Sequence, residues 1–141
     1  MSRSQKFPVA VHTLVALAIA GDEFLSSETL ARSIDTNPVV VRRILQALKK
    51  AGLVCSRGGV YGGASLCRPA DEITLLEVCD AVEEPGRCEV HGAGSDCWIA
   101  HGIRATIPDI LEDAEAARRR FLAARTIGEL AVDVRTHRGA A

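Results

Sequence analysis

The residues best suited to chemistry in this 141-residue chain lie in one short segment, Cys88-x2-His91-x5-Cys97-x3-His101. Thiols and imidazoles at such spacings are ligand types that zinc or a mixed Cys/His iron–sulfur cluster can use. The central spacer is shorter than in a usual zinc finger. The same thiols can also work bare. A helix N-terminus aimed at Cys97 would lower its pKa, and Cys88 would then serve as its resolving partner.

A second set of residues suits phosphate and base edges. Net charge is only −1, but it is unevenly spread. Residues 32–68 carry seven Arg or Lys against one acid, Asp35, whereas residues 69–117 carry twelve Asp or Glu against Arg87 and Arg104. Two surfaces with different partners are expected, the basic one for nucleic acid. Within it, Val41, Ile44, Leu45 and Leu48 fall on one side of a helix running from Pro38 to about Ala51. Arg43, Gln46 and Lys50 lie opposite with Val39 beside them, and Arg42 and Lys49 flank that face. Arg43 and Gln46 are candidates for base readout, with Asn37, Pro38 and Val39 at the helix start; Arg42, Lys49 and Lys50 suit the backbone.

The elements that must position these residues follow from punctuation. Pro8–Ala20 reads as a buried helix with Pro8 in its first turn, stopped by Gly21. Phe24-Leu25 is a short strand-like piece. Ser26 or Ser27 caps a helix to about Ser33 that turns Leu30, Ala31 and Ile34 inward, and Ser27 at its start joins the DNA candidates. Asn37 caps the basic helix, Pro38 opens it and Gly52 stops it. Leu53–Ser56 and Ala64–Cys67 are β-prone and flank a glycine-rich tip, from which Arg57, Gly59 and Tyr61 can approach DNA closely. Thr74-Leu75-Leu76-Glu77 and Thr126-Ile127-Gly128-Glu129 are capping boxes. A long helix is expected from about Ile103 or Pro108 to Arg125, then a short one before a tail from Thr136. This order predicts a mainly α fold with a small β-hairpin: a winged helix-turn-helix over 1–84, a sensor loop over 85–102, and a dimerisation helix with its tail over 103–141.

Three cysteines have quieter readings. Cys55 and Cys67 are equidistant from Tyr61, so a symmetric hairpin would set them across from each other. A one-residue slip undoes that, and both are expected as small buried hydrophobes. Cys79 lies on a core-facing side of its helix and reads as structural.

Thr36-Asn37-Pro38-Val39-Val40-Val41-Arg42-Arg43, Leu48-Lys49-Lys50-Ala51-Gly52-Leu53-Val54, Tyr61-Gly62-Gly63-Ala64-Ser65-Leu66 and Ile73-Thr74-Leu75-Leu76-Glu77-Val78 together resemble the Rrf-two family (IscR/NsrR-like) of bacterial transcriptional regulators, in its YwnA-like branch. The resemblance covers about residues 5 to 130. It implies a cytoplasmic homodimer that binds a palindromic operator in double-stranded DNA, usually as a repressor, and dimerises through the long helix. Independently, Ile103, Ile107, Ile110, Leu111, Ala114, Ala117, Phe121 and Leu122 form an apolar stripe at helical spacing. Ile107, Leu111, Ala114 and Phe121 are its candidate dimer contacts.

Many relatives hold an iron–sulfur cluster on three loop cysteines; here the loop has two. One branch also uses a first-helix His with a Glu four residues earlier. His12 matches the former, but Pro8 stands where the Glu would be, so a histidine hydrogen-bonded at a packing interface is the expectation. A cofactor-free, thiol-based redox sensor is favoured, with an iron–sulfur cluster or zinc as the alternatives.

The composition, 48% hydrophobic and 25% charged with 4% aromatics, is that of a globular domain with an aliphatic core. No apolar run is long enough to span a bilayer. Arg3 and Lys6 ahead of Val9–Ala20 resemble a secretory leader, but His12 and Thr13 interrupt the run and a cytoplasmic chain fits better. An enzyme is not expected, since no nucleophile–base pair shares an element. The alternative to a DNA-binding regulator is a winged-helix module that binds protein.

Overall fold

In the computed structural model, which describes residues 3–85 and 96–140, the apolar stripes close over one aliphatic core. In chain order the elements are α1 (Arg3–Ala20), α2 (Ser27–Ile34), α3 (Pro38–Lys50), β1 (Val54–Arg57), β2 (Gly63–Leu66), a 3-10 turn (Ala70–Glu72), α4 (Leu75–Val82), α5 (Trp98–Ala123) and α6 (Ile127–Gly139). The mainly helical winged helix-turn-helix with one antiparallel hairpin is the expected architecture. Leu14 and Leu17 of α1, Leu30 of α2, Val41 and Leu48 of α3, Leu53, Ile73, Val78 of α4 and Ile127 of α6 are fully buried. Each such side chain contributes about 1.5–3 kcal/mol.

Local chemistry fixes the helix ends. Ser26, not Ser27, caps α2, its hydroxyl accepting from the Thr29 amide at 3.1 Å. Asp35 adopts the left-handed conformation and lets the Thr36 amide donate back to the Ala31 carbonyl, which makes the tight turn into α3. The Asn37 side chain accepts from the Val39 amide at 2.8 Å, and Pro38, which has no amide to satisfy, sits at the first position. Gly52, at φ +77°, ends α3 and allows the Leu53 amide to reach the Leu48 carbonyl. Both capping boxes form as read, and they start α4 and α6 side by side. The Leu75 amide donates to the Arg125 carbonyl and the Ile127 amide to the Ile73 carbonyl.

Several boundaries differ from the sequence expectation. α1 begins at Arg3 and carries Pro8 inside it. α5 begins at Trp98, so Pro108 is interior and His101 is helical. α6 continues to Gly139, through the expected tail. It also packs on α1 and seals Ile127 and Ala131 into the main core, so the last helix packs with the winged helix-turn-helix.

The cysteines of the hairpin are the clearest correction. They are not buried hydrophobes: both are exposed and joined as a disulfide, with Cα atoms 5.3 Å apart. The strands pair about Val60 rather than Tyr61, so Cys55 faces Ser65. Cys67 lies two residues beyond Ser65, and an offset of two keeps its side chain on the same face of the hairpin. That diagonal separation is within the range a disulfide spans.

Candidate nucleic-acid interface

The α3 helix divides as its periodicity requires. Val41, Ile44 and Leu48 are buried, while Val39, Arg42, Arg43, Gln46, Lys49 and Lys50 are all exposed. Val39, Gln46 and Lys50 lie along the centre of the exposed face. Arg42 and Lys49 border it on the side of a groove shared with α2 and the hairpin, which Gln46, Ser56, Arg57 and Gly59 also line. Arg43 borders the other side, in a cleft with Lys6, Val40 and Val82. The two arginines therefore border the exposed face on its two sides, about 100° apart around the helix.

Three contacts hold the groove in shape. Arg42 Nη2 donates to Glu28 Oε1 at 2.9 Å, tying α3 to the first turn of α2. A hydrogen bond from its own backbone amide, and then this one from Arg42, hold the Glu28 carboxyl below its ordinary pKa. Lys49 Nζ donates to Ser56 Oγ at 2.8 Å, linking the end of α3 to β1. The Arg57 guanidinium lies 4.2 Å from the centre of the Phe24 ring and donates to the Tyr61 carbonyl at 3.1 Å.

The hairpin is seated by its base and exposed at its tip. Val54 and Ala64 are buried, and Leu25 pairs with Ala64 through two backbone hydrogen bonds as a one-residue third strand. Gly63 is required there, because a Cβ would collide with the Leu25 carbonyl. At the tip Tyr61 is 87% exposed and Val60 94%. Asn37 and Pro38 hold the start of α3, and Ser27 lines the groove at the start of α2. Arg68 is committed elsewhere, to Glu77 and the Glu72 carbonyl.

Elsewhere, α5 runs 26 residues and buries none of them fully. Ile103, Ile110, Leu111, Ala114 and Phe121 are exposed, Phe121 to 66%, and Ile107 is half-buried. The helix is attached to the core by Leu122, half-buried against it, and by polar contacts. Arg119 makes a two-pronged bond to Asp80 of α4, and Arg118, held by Glu115, donates to the Cys79 sulfur at 3.3 Å.

Residues 3–133 match the family model described as Rrf2, iron-dependent transcriptional regulator. The chain belongs to the Rrf2 family. It is 36% identical to the HTH-type transcriptional regulator YwnA of Bacillus subtilis over 129 residues, covering 90% of this chain and 95% of that protein. It is 35% identical to the HTH-type transcriptional regulator IscR of Cereibacter sphaeroides over 108 residues, covering 74% and 69%. A crystal structure of a transcriptional regulator from Lactobacillus plantarum superposes with a TM-score of 0.80 at 28% identity, covering 94% of this chain and 91% of that one. This Rrf2 chain is thus a DNA-binding transcriptional regulator and not an enzyme. Among the described residues no helix is long and apolar enough to cross a membrane.

Of the sensor candidates, Cys88 and His91 lie outside the described residues. Cys97 is the N-cap of α5 and exposed, as a thiol activated by a helix end should be. The Ala100 and Ile99 amides face its sulfur and hold its pKa below the ordinary thiol value. His101 follows one turn along α5, also exposed. Among the described residues no three His, Cys, Asp or Glu gather as metal ligands. His12 is hydrogen-bonded at a helix contact, its Nε2 lying 2.9 Å from Ser33 Oγ of α2. Cys79 is buried on α4, and burial pushes its pKa up.

Sequence reading missed Glu28 and Phe24. Glu28 sits in the first turn of α2, where an acid complements the helix dipole, and its position fourteen residues from Arg42 carries no local signal. Phe24 precedes the one-residue strand, and only the tertiary fold brings it under Arg57.

Proposed function

We propose that this chain is a cytoplasmic repressor that binds a palindromic operator as a homodimer. Each α3 enters a major groove, and each hairpin touches the neighbouring minor groove or phosphates. The exposed face of α3, free of acidic side chains and flanked by a glycine-tipped wing, carries the reading. Arg43 and Gln46 read bases; Arg42, Lys49 and Lys50 grip phosphate, and Arg57 and Tyr61 act from the wing. The uncovered stripe of α5, with Ile107, Leu111, Ala114 and Phe121, pairs with its copy. Sensing falls to the 85–102 segment, through the Cys97 thiol with Cys88 as its resolving partner.

Operator affinity measured by fluorescence anisotropy across a salt series tests this reading. Binding should fall steeply and linearly on logarithmic axes. Arg43→Ala should weaken it by about 1–3 kcal/mol and relax preference at one base position. Lys49→Ala should weaken all sequences alike and reduce the salt slope by about 1. Salt-insensitive association, or unchanged binding by Arg43→Ala, would defeat the assignment.

A metal-bearing sensor is the second reading. The family description as iron-dependent and the placing of Cys97 and His101 one turn apart favour it. Anaerobic purification with iron, sulfide and zinc analysis separates the two.

A further inference from the structure

We propose that Cys55 and Cys67 form a redox-switchable pair that stiffens the wing when oxidised and thereby raises affinity for DNA. The inference rests on the reading of α3 and the hairpin as the operator-binding surface. It concerns a different pair of thiols from Cys88 and Cys97.

Position is the first argument. The disulfide joins β1 to the residue that follows β2, enclosing the whole tip with Arg57, Gly59 and Tyr61 in one covalent ring. Cys55 is two residues from Arg57 and adjacent to Ser56, the residue that receives the Lys49 hydrogen bond from α3. A restraint there acts on the geometry between recognition helix and wing tip. Closing such a ring removes conformations that the open hairpin would otherwise have to give up on binding.

Independence from the core is the second. The base of the hairpin is held by buried Val54 and Ala64 and by the Leu25 backbone, whereas both cysteines are exposed. Opening the disulfide therefore lets the paired strands shift on this anchored base and carry the tip with them, without opening the core. Exposure also gives small thiols and disulfides access to both sulfurs. Where a DNA-binding regulator works, glutathione and thioredoxin reduce accessible disulfides, so the bond persists only under oxidising conditions.

The chemistry is thiol–disulfide exchange with a low-molecular-weight disulfide such as glutathione disulfide. One protein thiolate attacks that disulfide, forming a mixed disulfide and releasing one small thiol. The second protein thiolate displaces the other small thiol and closes the Cys55–Cys67 bond. Two protein thiols are oxidised, one small disulfide is reduced to two thiols, and both protons pass to the products.

The test equilibrates the full chain in glutathione buffers of graded ratio, and maps the pairing by differential alkylation and peptide mass. Affinity is then read by anisotropy on a labelled duplex that the oxidised chain has selected from a random-sequence pool. Cys55 and Cys67 should cross-link at oxidising ratios. Reduction should weaken binding at least about fivefold, the lower end of ordinary coupling between sites. In a C88S/C97S background, which silences the other thiol pair, adding C55S/C67S should give the reduced affinity in both buffers; the reduced C88S/C97S chain gives the same comparison without touching the wing. Equal affinity of both states, with salt-sensitive binding retained, would overturn the switch and leave the regulator reading standing. A redox effect in the C88S/C97S background that is undiminished by C55S/C67S would do the same. Absence of salt-sensitive binding in either state would overturn both.

Discussion

The helices α3 and α5 have the same kind of sequence and opposite fates. Each alternates an apolar stripe with a charged face. α3 seals Val41, Ile44 and Leu48 beneath α1, α2 and α4, whereas α5, twice as long, buries no residue fully and lays only Leu122 of its stripe against the core. Helical periodicity states which residues share a face, and says nothing of what covers that face. In α3 the cover is the rest of the chain, so its opposite face is fixed in orientation and can read DNA. In α5 most of the apolar side is left uncovered by this chain, and polar clamps from Arg118 and Arg119 anchor the helix to α4.

Replacing Leu48 by Ala should produce the largest change. A fully buried leucine loses its transfer free energy and leaves a cavity, a cost of about 2–5 kcal/mol in denaturant unfolding. That loss should not depend on protein concentration. Ile110→Ala, at a position 55% exposed, should cost the separated monomer no more than about 0.5 kcal/mol. Any larger loss should shrink on dilution, because it then reflects dimer stability. A concentration-independent loss at Ile110 would mean that α5 packs within its own chain.

Charge on the stripe gives the next effect. A double Ile110→Glu, Leu111→Glu chain should keep its helical circular dichroism and lose dimerisation by at least about 2 kcal/mol, or roughly thirtyfold in dissociation constant by sedimentation. Operator affinity should fall with it, since two linked half-site contacts become two separate ones. An unchanged dimer would place the interface on another surface.

How far these contrasts are visible in the sequence depends on how local their causes are. The caps at Asn37, Thr74 and Thr126 are decided within four residues, and all three form as read. The exposed face of α3 follows from the same locality. Pro8 and Pro108 mislead because proline favours a first turn only as a tendency, and here both helices run past it. The burial of α6 against α1 brings together opposite ends of the chain, which no local pattern encodes. The Cys55–Cys67 bond turns on where the hairpin is centred, and a glycine-rich tip specifies register weakly.

The smallest predicted difference concerns thiols at the two ends of the α5 attachment. Cys97 caps the exposed start of α5, where amides lower its pKa; Cys79 lies where Arg118 docks α5 on α4, and burial raises its pKa. Only the thiolate reacts with iodoacetamide, so a lowered pKa makes the rate level off at lower pH and a raised one delays it to higher pH. Peptide mass mapping of alkylation against pH should therefore show Cys97 modified first and Cys79 last. The Arg118 guanidinium sharpens the ordering, since its hydrogen bond favours the Cys79 thiolate and opposes burial. An Arg118→Ala chain should push Cys79 alkylation to still higher pH and leave Cys97 unchanged. If both cysteines shifted together, the α5 start and its docking site would be behaving as one unit, and the helix would not be the loosely held element that its exposure describes.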